Sequence, residues 1–148
     1  MANELVPTIV VAKALLLDAK GNTLVLRRSA THPTLAHNPD LPGGQVDLGE
    51  QPGEACVREI LEETGLQMAP KDLKLLYSAT ELWRGQNWIR LLFAAKLDGT
   101  QPPVTLSWEH SEYAWLPPEA VAEIEKQYHG FYNQALTYIR ENQLLKAL

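Results

Sequence analysis

The stretch Leu41–Leu66, LPGGQVDLGEQPGEACVREILEETGL, decides the fold. Its second half has helical spacing. Pro52 suits the first helical position, Glu54 the first turn, and Gly65 a stop just past the end. On a wheel at 100° per residue, Glu59, Glu62 and Glu63 fall within about a 100° arc, and Val57, Ile60, Leu61 and Thr64 fall opposite. The expectation is a helix with one buried face and one acidic face. Carboxylates three and four residues apart repel by a few tenths of a kcal/mol per pair unless a cation lies between them. Magnesium takes a few carboxylates, with water and phosphate oxygens completing its shell, and three glutamates on one rigid helix supply that set. An acidic helix face taken alone is more often solvated surface.

The wider pattern removes that ambiguity. Gly44, Glu50, Arg58, Glu59, Ile60, Glu62, Glu63, Gly65 and Leu66 form G-x5-E-x7-R-E-U-x-E-E-x-G-U, with U a bulky aliphatic residue. Seven fixed letters at average usage coincide roughly once in 10⁸ starts, so chance is no rival. The segment resembles the Nudix box. The resemblance implies an α/β sandwich, with a mixed sheet between helices, and divalent-metal-dependent hydrolysis of a phosphoanhydride bond in a nucleoside diphosphate derivative.

The resemblance also assigns roles. Glu59, Glu62 and Glu63 would serve metal and water, with magnesium as the cofactor and manganese as an alternative. The carbonyl of Gly43 would be a further metal ligand. Arg58 would orient Glu59, against the simpler reading of a surface pair with Glu62. Glu50 either approaches a metal or holds its loop against the helix; the second is favoured. The base is Glu59 or a carboxylate from a later loop, for which Glu109 is the candidate, in both catalytic and metal roles, and Glu112 the runner-up. Neutral imidazole is a poor magnesium ligand, so the neighbouring His110 reads as a packing histidine.

The flanking chain is consistent with this domain. TIVVAKALLL and TLVLRR flank the turn-rich DAKGN and read as a hairpin, as do LKLLYSATEL and NWIRLLFAAKL around WRGQ. Ser29 to Pro39, with His32, Pro33 and His37, lacks periodicity and reads as a loop. EYAWL reads as a strand, Pro117 and Pro118 open a short helix through Glu125, and Phe131, Ala135, Ile139 and Leu145 read as the apolar stripe of a final helix. Alternation sends Arg27 and Arg28 to opposite faces, so one of them can meet substrate phosphates, and Arg27 is taken as the candidate. Trp83, Trp88, Trp108, Trp115 and Tyr77 include residues able to stack on a base, although core or rim packing is the commoner use. Cys56, without an activating neighbour, reads as an inert packing thiol.

Bulk properties narrow the partners. The 148 residues, 45% hydrophobic and 21% charged, fit one domain over 1–148. A net charge of -5 without a basic stripe argues against extended nucleic acid and leaves a small nucleotide as substrate. Apolar runs such as Ala14–Leu17 are far short of the roughly 20 residues that cross a bilayer. One cysteine, and an N-terminus unlike a signal peptide, lead to the expectation of a cytoplasmic monomer or homodimer. The substrate expectation leans to a nucleoside triphosphate, cleaved to monophosphate and pyrophosphate. Leu82 stands sixteen residues beyond the box, where ADP-ribose hydrolases tend to carry proline, and tyrosine is absent from 82–84, where dinucleoside polyphosphate hydrolases tend to carry it. The alternatives are hydrolysis of ADP-ribose, nucleotide sugars, dinucleoside polyphosphates or capped RNA, isomerisation of a prenyl diphosphate, and nucleotide sensing without catalysis.

Overall fold

The computed structural model describes residues 4–124 and 130–148. Strands β1 (Thr8–Leu17) and β2 (Thr23–Arg28) leave the Asp18 turn, where the buried Asp18 carboxylate accepts the N–H groups of Lys20 and Asn22 at 2.8 and 2.9 Å. The expected hairpin pairs antiparallel at its base, Leu17 against Thr23, and then opens. The gap is filled by β3 (Pro39–Asp40), which pairs with β2, and β4 (Gly43–Gln45), which pairs with β1. Between them the Pro42 carbonyl accepts the Ala14 N–H at 2.9 Å. The segment Pro39–Gln45, which contains LPGG, is thereby part of the sheet, with its two short strands bonded to the two arms of the open hairpin.

The second hairpin forms as expected from β5 (Lys74–Trp83) and β6 (Gln86–Lys96), closed by Arg84 and Gly85 at φ 51° and 72°. Two left-handed residues match the twist of a two-residue hairpin. Strand β6 runs parallel to β1 from Thr8–Asn87 to Leu17–Lys96, and β7 (His110–Leu116) pairs with β2. The path is β3-β2-β1-β6-β5, with β4 and β7 attached to β1 and β2.

Alternation along the central strands builds two cores. Ala12, Ala14, Leu16, Leu24, Leu26, Phe93 and Ala95 pack with Cys56 and Ile60 of helix α1 (Pro52–Thr64). Leu15, Leu17, Val25, Leu92 and Ala94 pack with Phe131, Tyr132, Ala135 and Ile139 of helix α3 (Phe131–Glu141). Strands buried on both faces read as continuous apolar runs, which explains TIVVAKALLL. The expected layering, a mixed sheet between helices, is what the structure shows. Helix α2 spans Pro118–Ile124, and Glu125, the expected end, lies outside the described residues. The final stripe is carried by two pieces. Helix α3 ends at Asn142, Gln143 turns left-handed at φ 52°, and Leu145 reaches the core from the 3-10 turn Leu144–Ala147. No described helix is long and apolar enough to cross a membrane.

The wheel of α1 needs correction. Leu61, expected inside, is 45% exposed, whereas Glu63, expected on the acidic outer face, is 2% exposed. Cys56, Ile60 and Glu63 are spaced i, i+4, i+7 and form one stripe, which the helix lays onto the small side chains of β1. The apolar stripe therefore ends in a carboxylate.

Candidate active site

The site starts at the glycines. Gly43 has φ +125°, and a Cβ there would collide with the Ala12 carbonyl oxygen. A Cβ on Gly44 would come within 2.6 Å of the Glu59 carboxyl carbon. Bare backbone at both positions lets β4 lie against β1 and lets Glu59 lie against β4. The Gly43 N–H donates to Glu63 Oε1 at 3.1 Å, fixing the second carboxylate from below.

Arg58 organises the helix start. Its Nε and Nη2 donate to the two oxygens of Glu50 at 2.8 and 3.0 Å, and its Nη1 donates to Glu59 Oε1 at 2.7 Å and lies 3.5 Å from Glu62. Glu50 also accepts the Asp47 N–H at 3.0 Å, so it ties its own loop to α1. The Arg58 hydrogen bonds hold the Glu50 carboxyl down to about 2. Burial raises the Glu59 carboxyl, with Arg58 opposing. Burial pushes the Glu63 carboxyl up to about 8, with Lys13 working against it and Asp40 with it.

Beneath these residues is a buried ionic network absent from the sequence-based expectations. Lys13 donates to the carbonyls of Gly43 and Leu41 at 2.7 and 3.0 Å and pairs with Asp40 at 3.0 Å. Arg28 pairs with the other Asp40 oxygen at 3.2 Å. His110 stands between the carboxylates, Nε2 3.4 Å from Asp40 and Nδ1 3.4 Å from Glu63, the latter misaligned for a hydrogen bond. Burial works to raise the Asp40 carboxyl, but Lys13, His110 and Arg28 outweigh it and hold it well below the usual carboxylate range. A lone lysine in a strand otherwise apolar from Ile9 to Leu17 was the available signal, since a buried charge requires a partner.

One cleft of about 460 Å³ gathers these groups: Glu59, Glu63, Gly43, Glu109, Lys13 and Arg28 all line it. Glu62 remains outside the lining, its side chain 57% exposed beside Arg58. Arg27, the candidate phosphate contact, points away: it is half exposed, pairs with Glu112 at 3.2 Å and donates to the His37 carbonyl at 2.9 Å. Its neighbour Arg28 takes the inward position, as alternation requires of one of the two. Glu112, paired with Arg27, is likewise outside the lining. Trp83 and Trp88 line the cleft, Trp115 packs on the α1-side core, Tyr77 packs on Phe131 and Tyr138, and Trp108 is 65% exposed. Cys56 is fully buried and its thiol is pushed up to about 12 by that burial, as an inert packing residue would be.

Among the described residues, one group brings three candidate metal ligands close together, and a second set of oxygen donors lines the cleft. Asp40, Glu63 and His110 bring ligand atoms within 4.8 Å of one another, but Asp40 is already matched by two side-chain cations, and an imidazole suits softer metals than magnesium. Glu59, Glu63, Glu109 and Gly43 line the cleft together and offer oxygen donors alone. Oxygen donors suit magnesium, and a carbonyl keeps a second lone pair beside the one that Lys13 uses on Gly43.

A family model described as the NUDIX domain matches residues 7–135. The chain belongs to the NUDIX domain family. This NUDIX domain is 28% identical over 127 residues to RNA pyrophosphohydrolase of Acidiphilium cryptum (strain JF-5), covering 73% of this chain and 77% of that one. It is 27% identical over 82 residues to 8-oxo-dGTP diphosphatase of Escherichia coli (strain K12), covering 47% of this chain and 64%, just under two thirds, of that relative. The crystal structure of MutT protein from Methanosarcina mazei Go1 superposes with a TM-score of 0.77 at 31% identity, covering 95% of this chain and 99% of that one. The Escherichia coli ORF135 protein superposes at 0.73 with 20% identity, covering 93% and 96%, a likeness of fold.

Proposed function

We propose that this NUDIX domain is a magnesium-dependent hydrolase that cleaves a nucleoside triphosphate to monophosphate and pyrophosphate. The observation that carries the reading is that Glu59, Glu63, Glu109 and Gly43 line one cleft together with Lys13 and Arg28. Its volume lies within the range of small-molecule sites, roughly 300–1,000 Å³. The names of the relatives, 8-oxo-dGTP diphosphatase and RNA pyrophosphohydrolase, support a phosphoanhydride substrate.

Glu59, Glu63, the Gly43 carbonyl and Glu109 would hold the cation, with Glu62 reaching in from the rim. When bound, it neutralises phosphate oxygens and lowers the pKa of a water. Water attacks phosphorus in line, the bridging P–O bond breaks toward the leaving phosphate, and the water's proton passes to a carboxylate, Glu59 or Glu109. Arg58 keeps Glu59 aimed through the 2.7 Å bond. Arg28, held by Asp40, and Lys13 add fixed positive charge that offsets the triphosphate.

A second reading, removal of pyrophosphate from an RNA 5′ end, is favoured by the name of the Acidiphilium cryptum relative. The net charge of -5 weighs against an RNA track. The test is kcat/KM across nucleoside triphosphates, ADP-ribose, a nucleotide sugar, a dinucleoside polyphosphate and a 5′-triphosphate oligoribonucleotide, with magnesium and with chelator. Cleavage of triphosphates that stops in chelator is expected. A hundredfold preference for another substrate, or full activity in chelator, overturns the reading.

A further inference from the structure

Glu109 lines the cleft without a side-chain partner. Glu59 is held by Arg58 at 2.7 Å and Glu63 by the Gly43 N–H at 3.1 Å, whereas the half-buried Glu109 carboxylate makes no hydrogen bond or ion pair among the described residues. A side chain in a site that lacks such a bond takes its position from the backbone that carries it. Here that backbone is the turn of Trp108 and Glu109, just ahead of β7. Three main-chain bonds tie it down. The Glu109 carbonyl accepts the Ser29 N–H at 2.8 Å, the Ser107 N–H donates to the Glu63 carbonyl at 3.4 Å, and the Ser107 carbonyl accepts the His110 N–H at 3.3 Å.

The residue after Glu109 adds a side-chain anchor. His110 opens β7 opposite Arg28, at the bulge between Arg27 and Arg28, and it alone in that strand is buried. Its ring enters a charged network, where an apolar plug would leave Asp40 short of a donor. Asp40, paired with Lys13 and Arg28, is a carboxylate that only accepts, so His110 Nε2, 3.4 Å away, is the donor. The other ring nitrogen, Nδ1, lies 3.4 Å from Glu63 without a hydrogen bond, so the ring is fastened to Asp40 and merely abuts Glu63. Resting on the reading of Glu109 as base or metal ligand, we propose that His110 is a positioning residue: its ring, fastened to Asp40, fixes the turn that keeps the Glu109 carboxylate in the lining of the cleft. Asp40 thereby serves the two buried cations and the placement of a carboxylate that it does not itself touch.

The test joins kinetics to a readout that needs neither metal nor turnover. With a triphosphate and saturating magnesium, His110→Ala should lower kcat on the order of tenfold or more and leave KM within a few-fold, because the binding groups stay in place. His110→Gln, whose side-chain N–H still reaches Asp40, should recover most of that loss. Trp108→Ala, exposed on the same turn, should leave kcat within a few-fold. His110→Ala combined with Glu109→Gln should be no slower than Glu109→Gln alone, the non-additivity of residues that act as a unit. In chelator, amide hydrogen exchange at Ser29, protected by the Glu109 carbonyl, should speed on the order of tenfold in His110→Ala and stay near wild type in His110→Gln, with the core amide of Leu92 unchanged in both. Where the alanine variant does not fold, His110→Asn, whose amide stops short of Asp40, takes its part. Losses that multiply in the double variant, a glutamine variant as slow as the alanine variant, or unchanged Ser29 exchange in His110→Ala each overturn the positioning role. Full activity of Glu109→Gln beside a slow His110→Ala overturns it too, since the ring would then act through another group. A protein that cleaves no triphosphate, yet loosens at Ser29 in His110→Ala and not in His110→Gln, supports the anchor and sinks the hydrolytic reading.

Discussion

Asp40 neutralises two buried cations at once, and that makes it the most exposed point of the network to substitution. Asp40→Asn leaves Lys13 and Arg28 buried without their counter-charge, and breaking such a pair costs about 3–5 kcal/mol. Chemical denaturation at pH 7 should show a loss of that order, and a loss below about 1 kcal/mol would contradict the buried network. The pH sign follows from the depressed folded-state pKa of Asp40. Its contribution is fully present above the ordinary aspartate range near pH 4 and is lost as pH falls through that range toward the depressed value. Thermal melts of the wild type should therefore steepen in their decline below about pH 4, and those of Asp40→Asn should be flatter there. Arg58→Lys should behave as a non-conservative change. A single ammonium cannot hold both oxygens of Glu50 and also Glu59, so kcat should drop more than tenfold while the circular dichroism spectrum stays unchanged. Cys56 gives the opposite expectation: Cys56→Ala should leave kcat within a few-fold, and the folded thiol should resist alkylation.

The strand β4 and helix α1 share one constraint, and the two adjacent glycines separate its parts. Gly43→Ala meets β1 backbone at a φ that L-residues avoid, so it should lower Tm by several degrees or prevent folding. Gly44→Ala meets the end of a side chain, Glu59, which can swing aside. It should lower kcat by an order of magnitude or more at nearly unchanged Tm; the reverse ranking of the two variants would mean that the glycines do not divide these roles. Much of this was legible in the chain. Pro52, Glu54 and Gly65 marked both ends of α1, and the alternation rule sent one of Arg27 and Arg28 inward without saying which. The inward one is Arg28 because the bulge between Arg27 and Arg28 and the pairing with β3 turn it onto Asp40. Burial of Glu63 was not legible from a wheel centred on the apolar residues, since the buried arc is set by where β4 and the small residues of β1 let the helix sit. Nor was the junction of Lys13 with Asp40, which depends on a contact spanning β1 and the LPGG segment.

The assembled domain couples the site to stability. A cation bound to the folded state alone should raise stability by about 2.7 kcal/mol at a hundred times its Kd, so magnesium should raise Tm in the wild type and much less in Glu63→Gln. An equal rise in both would place the cation elsewhere. The parallel register of β1 and β6 has a kinetic consequence. Synthesis proceeds at roughly 5–20 residues per second, so β1 emerges about 4–16 s before the strand that covers its edge, which lies ~80 residues later in the chain. Until then an apolar ribbon, TIVVAKALLL, is on offer to any other nascent strand, and Lys13 is the only charge that interrupts it. The lysine that neutralises Asp40 in the finished protein is therefore also placed as a gatekeeper against self-association during birth. Lys13→Met should refold with lower yield as concentration rises, measured by light scattering on dilution from denaturant, and the wild type should not.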